Sequence, residues 1–103
     1  MGAGGIPSGG VIKVYSEHQG LPSKTEHINS RYDLYVDGRR KQSRWFDHNG
    51  IVVRNRDYFH SDHKGDHTFP HDHEWNIVNG EPMRISTNLD PDYEHYNSDE
   101  EDE

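Results

Sequence analysis

Five histidines lie within fourteen consecutive positions of this 103-residue chain, in the stretch "HSDHKGDHTFPHDHEW" at residues 60–75. They are His60, His63, His67, His71 and His73. The chain contains no cysteine, so a transition metal would be held by imidazole nitrogen or by oxygen. Histidine is also the side chain that gives and takes a proton near neutral pH. The stretch therefore predicts either a metal site or acid/base chemistry.

The metal interpretation rests on His71 and His73, which are separated by one residue. On a β-strand their imidazoles project from the same face, and His67 from the preceding loop would complete a shell. Three histidines with a water form an open catalytic zinc shell, whereas two histidines with a carboxylate suit zinc or non-haem iron. The spacing matches no familiar metal-binding signature. We predict zinc or another divalent metal at these three histidines.

In the catalytic interpretation His71 and His73 act as acid and base on a phosphodiester, and His60 and Asp57 complete the set of catalytic residues. Such a reaction also needs cations that stabilise the charge developing at phosphorus. Arg54, Arg56 and Lys64 lie close enough in sequence to position the phosphate. The leading hypothesis is therefore a small nuclease-like phosphodiester hydrolase.

Three alternatives without catalysis stay open. In the first, the histidines hold zinc or nickel for structure or storage. In the second, the chain is a phage accessory or interaction protein that uses its sheet as a binding surface. In the third, His71 and His73 are half-buried hydrogen-bonding residues between the apolar neighbours Phe69 and Trp75, and bind no ligand.

Short β-branched and aromatic runs, separated by turn residues, indicate strands. The runs are "VIKVY" (11–15), "RYDLYV" (31–36), "RRKQSRWF" (39–46), "IVVRNRDYF" (51–59), "HEWNIV" (73–78) and "MRIST" (83–87). The dipeptide Asp37-Gly38 and the segment "DHNG" at 47–50 predict tight hairpin turns. We predict a mainly β fold: a small antiparallel β-meander with long loops, little helix and disordered termini. One domain would span residues 11–87, after a flexible N-terminus at 1–10 and before a disordered acidic tail at 88–103.

Alternation along the strands sorts the side chains of this meander into two faces. The simplest registers place Trp45 on the same face as Tyr32, Leu34 and Val52, and place Phe46 on the other. Basic residues fall on both faces, so we expect a half-covered sheet in which long basic stems lie over aromatic rings.

The net charge of −8 is concentrated at the C-terminus, where residues 88–103 hold eight acids and no lysine or arginine. Segment 31–56 has seven lysines and arginines against three acids, which indicates nucleic acid as a candidate partner. The tail is expected either to be solvated or to fold over this basic segment. No run approaches the roughly 20 apolar residues of a membrane span, and no signal peptide is recognisable. We expect a cytoplasmic protein with no membrane partner, and the sequence leaves its oligomeric state open.

One longer motif resembles a known class. In "RDYFHSDHKGDHTFPHDHEW" at 56–75, an Asp-Tyr-x-His segment precedes a polar insert and Pro-His-x-His-x-Trp. This order, after a Gly-turned aromatic meander, resembles the C-terminal toxin-like modules of bacterial polymorphic toxins and related small Gram-positive prophage proteins. The resemblance covers about residues 31–75 and implies a nuclease-like or other hydrolytic role. The matching positions are Asp57, His60, His67, His71, His73 and Trp75. The acidic tail departs from the pattern.

Overall fold

The computed structural model describes residues 9–16, 20–59 and 70–98, which contain one six-stranded sheet. The strands are β1 (Val11–Tyr15), β2 (Arg31–Val36), β3 (Arg39–Phe46), β4 (Val52–Asp57), β5 (His71–Val78) and β6 (Glu81–Leu89). These ranges contain no helix, so none that is long and apolar enough to cross a bilayer. The predicted mainly β fold is confirmed. Of the predicted flexible N-terminus, residues 1–8 lie outside the described ranges.

The strands lie in the sheet in chain order, as a meander requires. Every pair from β2 to β6 is antiparallel, whereas β1 runs parallel to β2. In the β2–β3 turn Asp37 and Gly38 have φ angles of 54° and 79°, and in the β5–β6 turn Asn79 and Gly80 have 53° and 82°. Two successive positive φ angles suit hairpin turns whose twist matches that of the flanking strands.

A β-bulge in the β2–β3 hairpin changes which side chains share a face. The register shifts along this pair, so that Tyr32 pairs with Arg44 and Trp45 lies on the opposite face. Because side chains alternate with a period of two, one extra residue reverses every later position of β3. The predicted grouping of Trp45 with Tyr32 and Leu34 is therefore wrong. Phe46 packs with those two residues instead.

The apolar core lies on one face of the sheet, and the loop at residues 20–30 covers it. Its buried members are Leu21, Tyr32, Leu34, Phe46 and Val52. The loop is tied down where Val52 N donates to Ser23 O (3.0 Å) and Thr25 N donates to Gly50 O (2.8 Å). Gly50 has a φ of 74°, and a Cβ there would collide with the Thr25 carbonyl. Only glycine allows this approach of loop to strand.

The other face of the sheet is packed with buried charges rather than with apolar side chains. We call it the ionic face, and its members, between 0% and 7% exposed, are Arg31, Asp33, Arg54, Arg56 and Asp72. The strand register aligns them: Asp33, Ser43, Arg56 and Asp72 lie in one row across four strands. Buried ions require partners: Asp33 pairs with Arg31 on its own strand, and Asp72 pairs with Arg54 and Arg56 across the sheet.

Residues 90–98, which we call the C-terminal strap, cross the ionic face. Arg56 Nη1 donates to Tyr96 O (2.8 Å) and to Ser98 Oγ (3.0 Å). This differs from the predicted disordered tail over 88–103, because Asn88 and Leu89 end β6 and the strap supplies acceptors to buried guanidinium groups. Residues 99–103 lie outside the described ranges.

Candidate metal centre

Strands β4 and β5 place three metal-binding side chains next to one another. Asp57 pairs with His71, and two positions along the ladder Asn55 pairs with His73. These side chains therefore share one face of the sheet, the face of the apolar core, which we call the histidine face. One nitrogen of each histidine and one oxygen of Asp57 lie within 4.8 Å of one another. The three residues are 8% (Asp57), 3% (His71) and 5% (His73) exposed. This buried group can hold a metal ion.

The shorter separation in the cluster is that of a hydrogen bond, and the longer one matches a transition-metal site. Asp57 Oδ2 lies 2.9 Å from His73 Nε2 and 3.6 Å from His71 Nε2. Two ligands that are each about 2.0–2.2 Å from a tetrahedral zinc ion lie roughly 3.3–3.6 Å apart. The two imidazole rings are nearly perpendicular, at 84°, with their centroids 5.0 Å apart. Small side-chain shifts would therefore bring all three ligands to bonding distance of one ion.

A closed ring of contacts fixes the Asp57 carboxylate. Its Oδ1 accepts hydrogen bonds from Gln42 Nε2 (2.7 Å) and Asn55 Nδ2 (3.2 Å). Asn55 Oδ1 accepts from Trp75 Nε1 (2.6 Å), and Gln42 Oε1 accepts from Arg44 Nε (3.1 Å). The Arg44 guanidinium lies 4.9 Å from the centre of the Trp75 ring, and this contact completes the ring. Because Oδ1 is held by two amides, Oδ2 is the oxygen that faces the histidines.

The surroundings of Asp57 favour its charged form. Burial by itself raises the pKa of this carboxyl, because an ion loses its water. Hydrogen bonds from His73 and Gln42, together with positive charge on His73 and His71, outweigh burial and hold the pKa of Asp57 below its usual range. Asp57 is therefore ionised at neutral pH and offers the negative charge that a bound cation needs.

Arg44 is the cation nearest to this carboxylate along the ring of contacts. Burial lowers the pKa of Arg44 to about 10, with Asp57 opposing that shift and Arg84 adding to it. Its Nη1 donates to the carbonyl oxygens of Leu21 and Pro22, each at 3.0 Å. Arg44 therefore stays charged at neutral pH, but its guanidinium is directed to the covering loop and to Gln42.

His73 has a second ring nitrogen that bears on its chemistry. Nδ1 is buried and has no hydrogen-bond partner in the part of the chain that the structure describes. A neutral His73 that donates its Nε2 proton to Asp57 leaves Nδ1 unprotonated, and a metal on Nε2 would move that proton to Nδ1. Because Nδ1 is enclosed, it is not presented to a substrate. The geometry thus argues against His73 as a base acting through Nδ1.

The remaining predicted site residues are placed elsewhere. Arg54 and Arg56, predicted to bind phosphate, lie on the ionic face and are 7% and 0% exposed. The Nε atom of each donates to Asp72 at 2.7 Å. This is a correction to their predicted role, because alternation along β4 directs them away from the histidines and Asp72 neutralises them. The other predicted positions, His60, His63, Lys64 and His67, lie outside the described residues.

Sequence reasoning did not identify Gln42 and Asn55 as site residues. A signal for them exists, since Gln42 alternates with Arg44 on β3 and Asn55 alternates with Asp57 on β4. In the structure Gln42 pairs directly with Asp57, so the two side chains lie on one face.

Comparisons with known proteins do not assign the chain to a family. No protein-family model matches it, and no curated protein or solved structure is significantly similar to it. The resemblance to toxin-like modules therefore stays a prediction, and the functional argument rests on the sheet and on the Asp57, His71 and His73 cluster.

Proposed function

We propose that this protein binds a divalent transition metal through Asp57, His71 and His73. The observation that carries the proposal is their convergence, with Asp57 Oδ2 at 2.9 Å and 3.6 Å from the two Nε2 atoms. A buried carboxylate needs a compensating cation, and a divalent ion supplies one while both imidazoles remain neutral ligands. The contacts of Gln42 and Asn55 with Oδ1 are the kind of outer support that orients metal ligands.

Zinc is the metal that this donor set fits first. Two imidazoles and one carboxylate are a zinc or ferrous iron combination, and sites of this kind bind zinc more tightly than iron. Magnesium and calcium prefer shells made of oxygen, which two histidines do not provide. Nickel shares the preference for imidazole and belongs in the same titration.

The test is a titration of the metal-stripped protein with zinc, nickel and ferrous iron, followed by calorimetry and by competition with a chromophoric chelator. We expect one zinc ion per chain and a higher melting temperature. Asp57→Asn, His71→Ala and His73→Ala should each weaken zinc binding by more than the roughly 10- to 100-fold that loss of an outer-shell partner costs.

His48→Ala is the matched control, because His48 is exposed in the β3–β4 turn. It should leave zinc affinity unchanged. The proposal fails if the parent binds none of the three metals, or if the ligand variants bind as the parent does. His60→Ala and His67→Ala then show whether a fourth ligand comes from the 60–69 segment.

Metal-dependent hydrolysis of a phosphodiester is the second candidate function. It is favoured by ligand number, since catalytic zinc sites use three protein ligands and lower the pKa of a bound water to about 7. Nucleic acid is the proposed substrate, because Arg39 and Lys41 of the basic segment are not buried. Because His71 and His73 are buried, their proposed role is to hold the metal and not to contact substrate directly.

Labelled RNA and DNA incubated with the zinc-loaded protein test this second function. We expect cleavage that a chelator abolishes and that the double variant His71→Ala/His73→Ala lacks. If the double variant cuts as well as the parent, the enzyme hypothesis fails. If the zinc-loaded parent cuts neither nucleic acid, metal binding without this activity is the function that remains.

A further inference from the structure

The C-terminal strap gives main-chain acceptors to a buried arginine of the ionic face. Arg56 donates to the carbonyl oxygens of Tyr96 (2.8 Å) and Asp92 (3.1 Å) and to Ser98 Oγ (3.0 Å). Ser98 is 0% exposed, although it lies in the part of the chain where the sequence is most acidic. Ser98 is therefore part of the protein interior, whereas Tyr93, Glu94 and His95 of the strap are exposed.

Aromatic side chains of the strap pack on the same arginines. The Tyr93 ring lies 4.5 Å from the guanidinium carbon of Arg56, and the Tyr96 ring lies 5.3 Å from that of Arg54. Tyr96 also meets Trp45 edge-on, with 5.4 Å between ring centroids. These rings exclude water from the ion pairs and attract the guanidinium groups through their π faces.

Asp72 connects the strap to strand β5. Its carboxylate accepts hydrogen bonds from Arg54 Nε and Arg56 Nε, each at 2.7 Å, and from the backbone N–H of Asp92 at 3.1 Å. Displacing the strap would leave N–H groups of Arg56 without acceptors and would admit water to the ion pairs between β4 and β5. The strap thus stabilises the pairing of these two strands.

The ionic face and the metal centre are built on adjacent residue pairs of β4 and β5. Arg56 pairs with Asp72, and the next pair along is Asp57 with His71. The register that sets Arg56 opposite Asp72 on one face therefore sets Asp57 opposite His71 on the other. Metal ligands must be placed to within a few tenths of an ångström, so ion binding depends on that register.

From this arrangement we propose that docking of the C-terminal strap and binding of the metal ion are thermodynamically coupled. The inference rests on the proposed metal-binding function, and it makes the strap a positioning element for Asp57, His71 and His73. A docked strap raises metal affinity, and by linkage the bound metal favours the docked strap by the same factor. Coupling between sites in proteins is typically about 5- to 150-fold in affinity. An event that pulls the strap from the ionic face would weaken metal binding by that factor.

The first experiment measures zinc affinity in full-length strap variants by chelator competition. Tyr93→Ala/Tyr96→Ala removes both rings from the arginines and should weaken zinc binding about tenfold, within the usual range of coupling. Ser98→Ala removes one hydrogen bond to Arg56 and should weaken zinc binding less; this milder change keeps the test decisive if the double variant does not fold. Glu94→Ala, an exposed strap position, is the matched control and should bind zinc as the parent does.

The second experiment measures the reciprocal effect by hydrogen exchange in the unmodified protein. The amide of Asp92 bonds Asp72 Oδ2 and therefore reports on docking, whereas that of Tyr96 bonds Asp92 O (3.0 Å) within the strap and reports on the order of the strap. Saturating zinc should slow their exchange by the factor seen in the affinities, and should not slow it in His71→Ala.

Two outcomes separate this inference from the function beneath it. If the parent binds zinc but the strap variants match its affinity and the two amides exchange at rates that zinc does not change, the coupling is overturned and the metal centre stands. If the parent binds no metal, the metal centre and the coupling are both overturned.

Discussion

Two buried carboxylates lie on opposite faces of the same strand pair and have different partners. Asp72 accepts hydrogen bonds from the guanidinium groups of Arg54 and Arg56 and from a backbone amide. Asp57 meets the side-chain amides of Gln42 and Asn55 on one oxygen and two imidazoles on the other. Arginine brings a permanent positive charge, whereas imidazole is neutral over much of the physiological pH range.

The comparison distinguishes a structural carboxylate from one that suits an added cation. Around Asp72 the compensating cations are part of the chain, and their geometry leaves its oxygens occupied. Around Asp57 the nitrogen partners are metal ligands by type. The two faces therefore predict different results when each carboxylate is changed to its amide: mainly a loss of stability at Asp72, and a loss of zinc binding at Asp57.

The largest effect is expected from Asp72→Asn. Removing this charge leaves Arg56 buried without its anion and leaves Arg54 paired with the partly exposed Glu74, 3.1 Å away. Breaking a buried ion pair in this way costs about 3–5 kcal/mol. Urea unfolding of the purified variant measures the loss in the free energy of unfolding. A loss below about 1 kcal/mol, typical of an exposed pair, would show that Asp72 is not a structural carboxylate.

Zinc should stabilise the parent and should not stabilise Asp57→Asn. A ligand that binds only the folded protein adds about 2.7 kcal/mol at a hundredfold excess over its Kd. Thermal unfolding with and without zinc measures this difference. Equal stabilisation of both proteins would mean that zinc binds elsewhere, and the comparison of the two carboxylates would lose its functional meaning.

Acid should remove a smaller contribution of Asp57 in the metal-free protein. Because the folded-state pKa of Asp57 lies below its ordinary value of 3.8, its ionisation stabilises the fold above that value, and this stability is lost as the pH falls through the folded pKa. The difference in unfolding free energy between the parent and Asp57→Asn should therefore shrink on acidification below about pH 4. Urea unfolding across this pH range measures it, and parallel profiles would contradict it.

Asp92 in the strap also has a shifted pKa, but it does not affect the difference in unfolding free energy between the parent and Asp57→Asn. Burial slightly raises its pKa, but hydrogen bonds from the backbone and side chain of His95 outweigh burial, so that the pKa of Asp92 lies below its usual value. The same shift is present in the parent and in Asp57→Asn, so it cancels in their difference.

The smallest effect is expected at an exposed ion pair far from both faces. Lys24 Nζ and Glu81 Oε1 are 3.5 Å apart, with side chains 53% and 73% exposed. Exposed pairs contribute about 0–1 kcal/mol, so Glu81→Gln should change the free energy of unfolding much less than Asp72→Asn does. Urea unfolding of the two variants side by side gives the scale of buried against exposed charge in this sheet.

Much of the fold could be predicted from local sequence. Strand β1 and the β2–β3 hairpin have their predicted bounds, because β-branched runs and the Asp37-Gly38 turn act over a few residues. The faces of β3 could not be predicted, because a bulge depends on how the strand packs and not on its own residues. One extra residue was enough to move Trp45 to the ionic face.

Of the candidate site, the sequence predicted His71 and His73 as metal ligands, but it named His67 as the third ligand and placed Asp57 in the catalytic set. His71 and His73 share a face by simple alternation, and Asp57 is the acid that ends the adjacent strand. The role of Arg54 and Arg56 could not be predicted, because Asp72 lies 18 and 16 residues from them in the chain and the strap lies more than 30 residues away. Counting charges along a chain treats each one as solvated, whereas these are paired inside the fold.

The ionic face also shapes how stability varies with temperature. Exposing apolar surface on unfolding raises the heat capacity and exposing polar surface lowers it. One whole face of this sheet exposes guanidinium and carboxylate groups when it unfolds, so the heat-capacity change should lie below the average of about 12–15 cal/mol/K per residue. The free energy of unfolding would then vary less with temperature, both on cooling and on moderate heating, than that of a domain of equal size with two apolar faces.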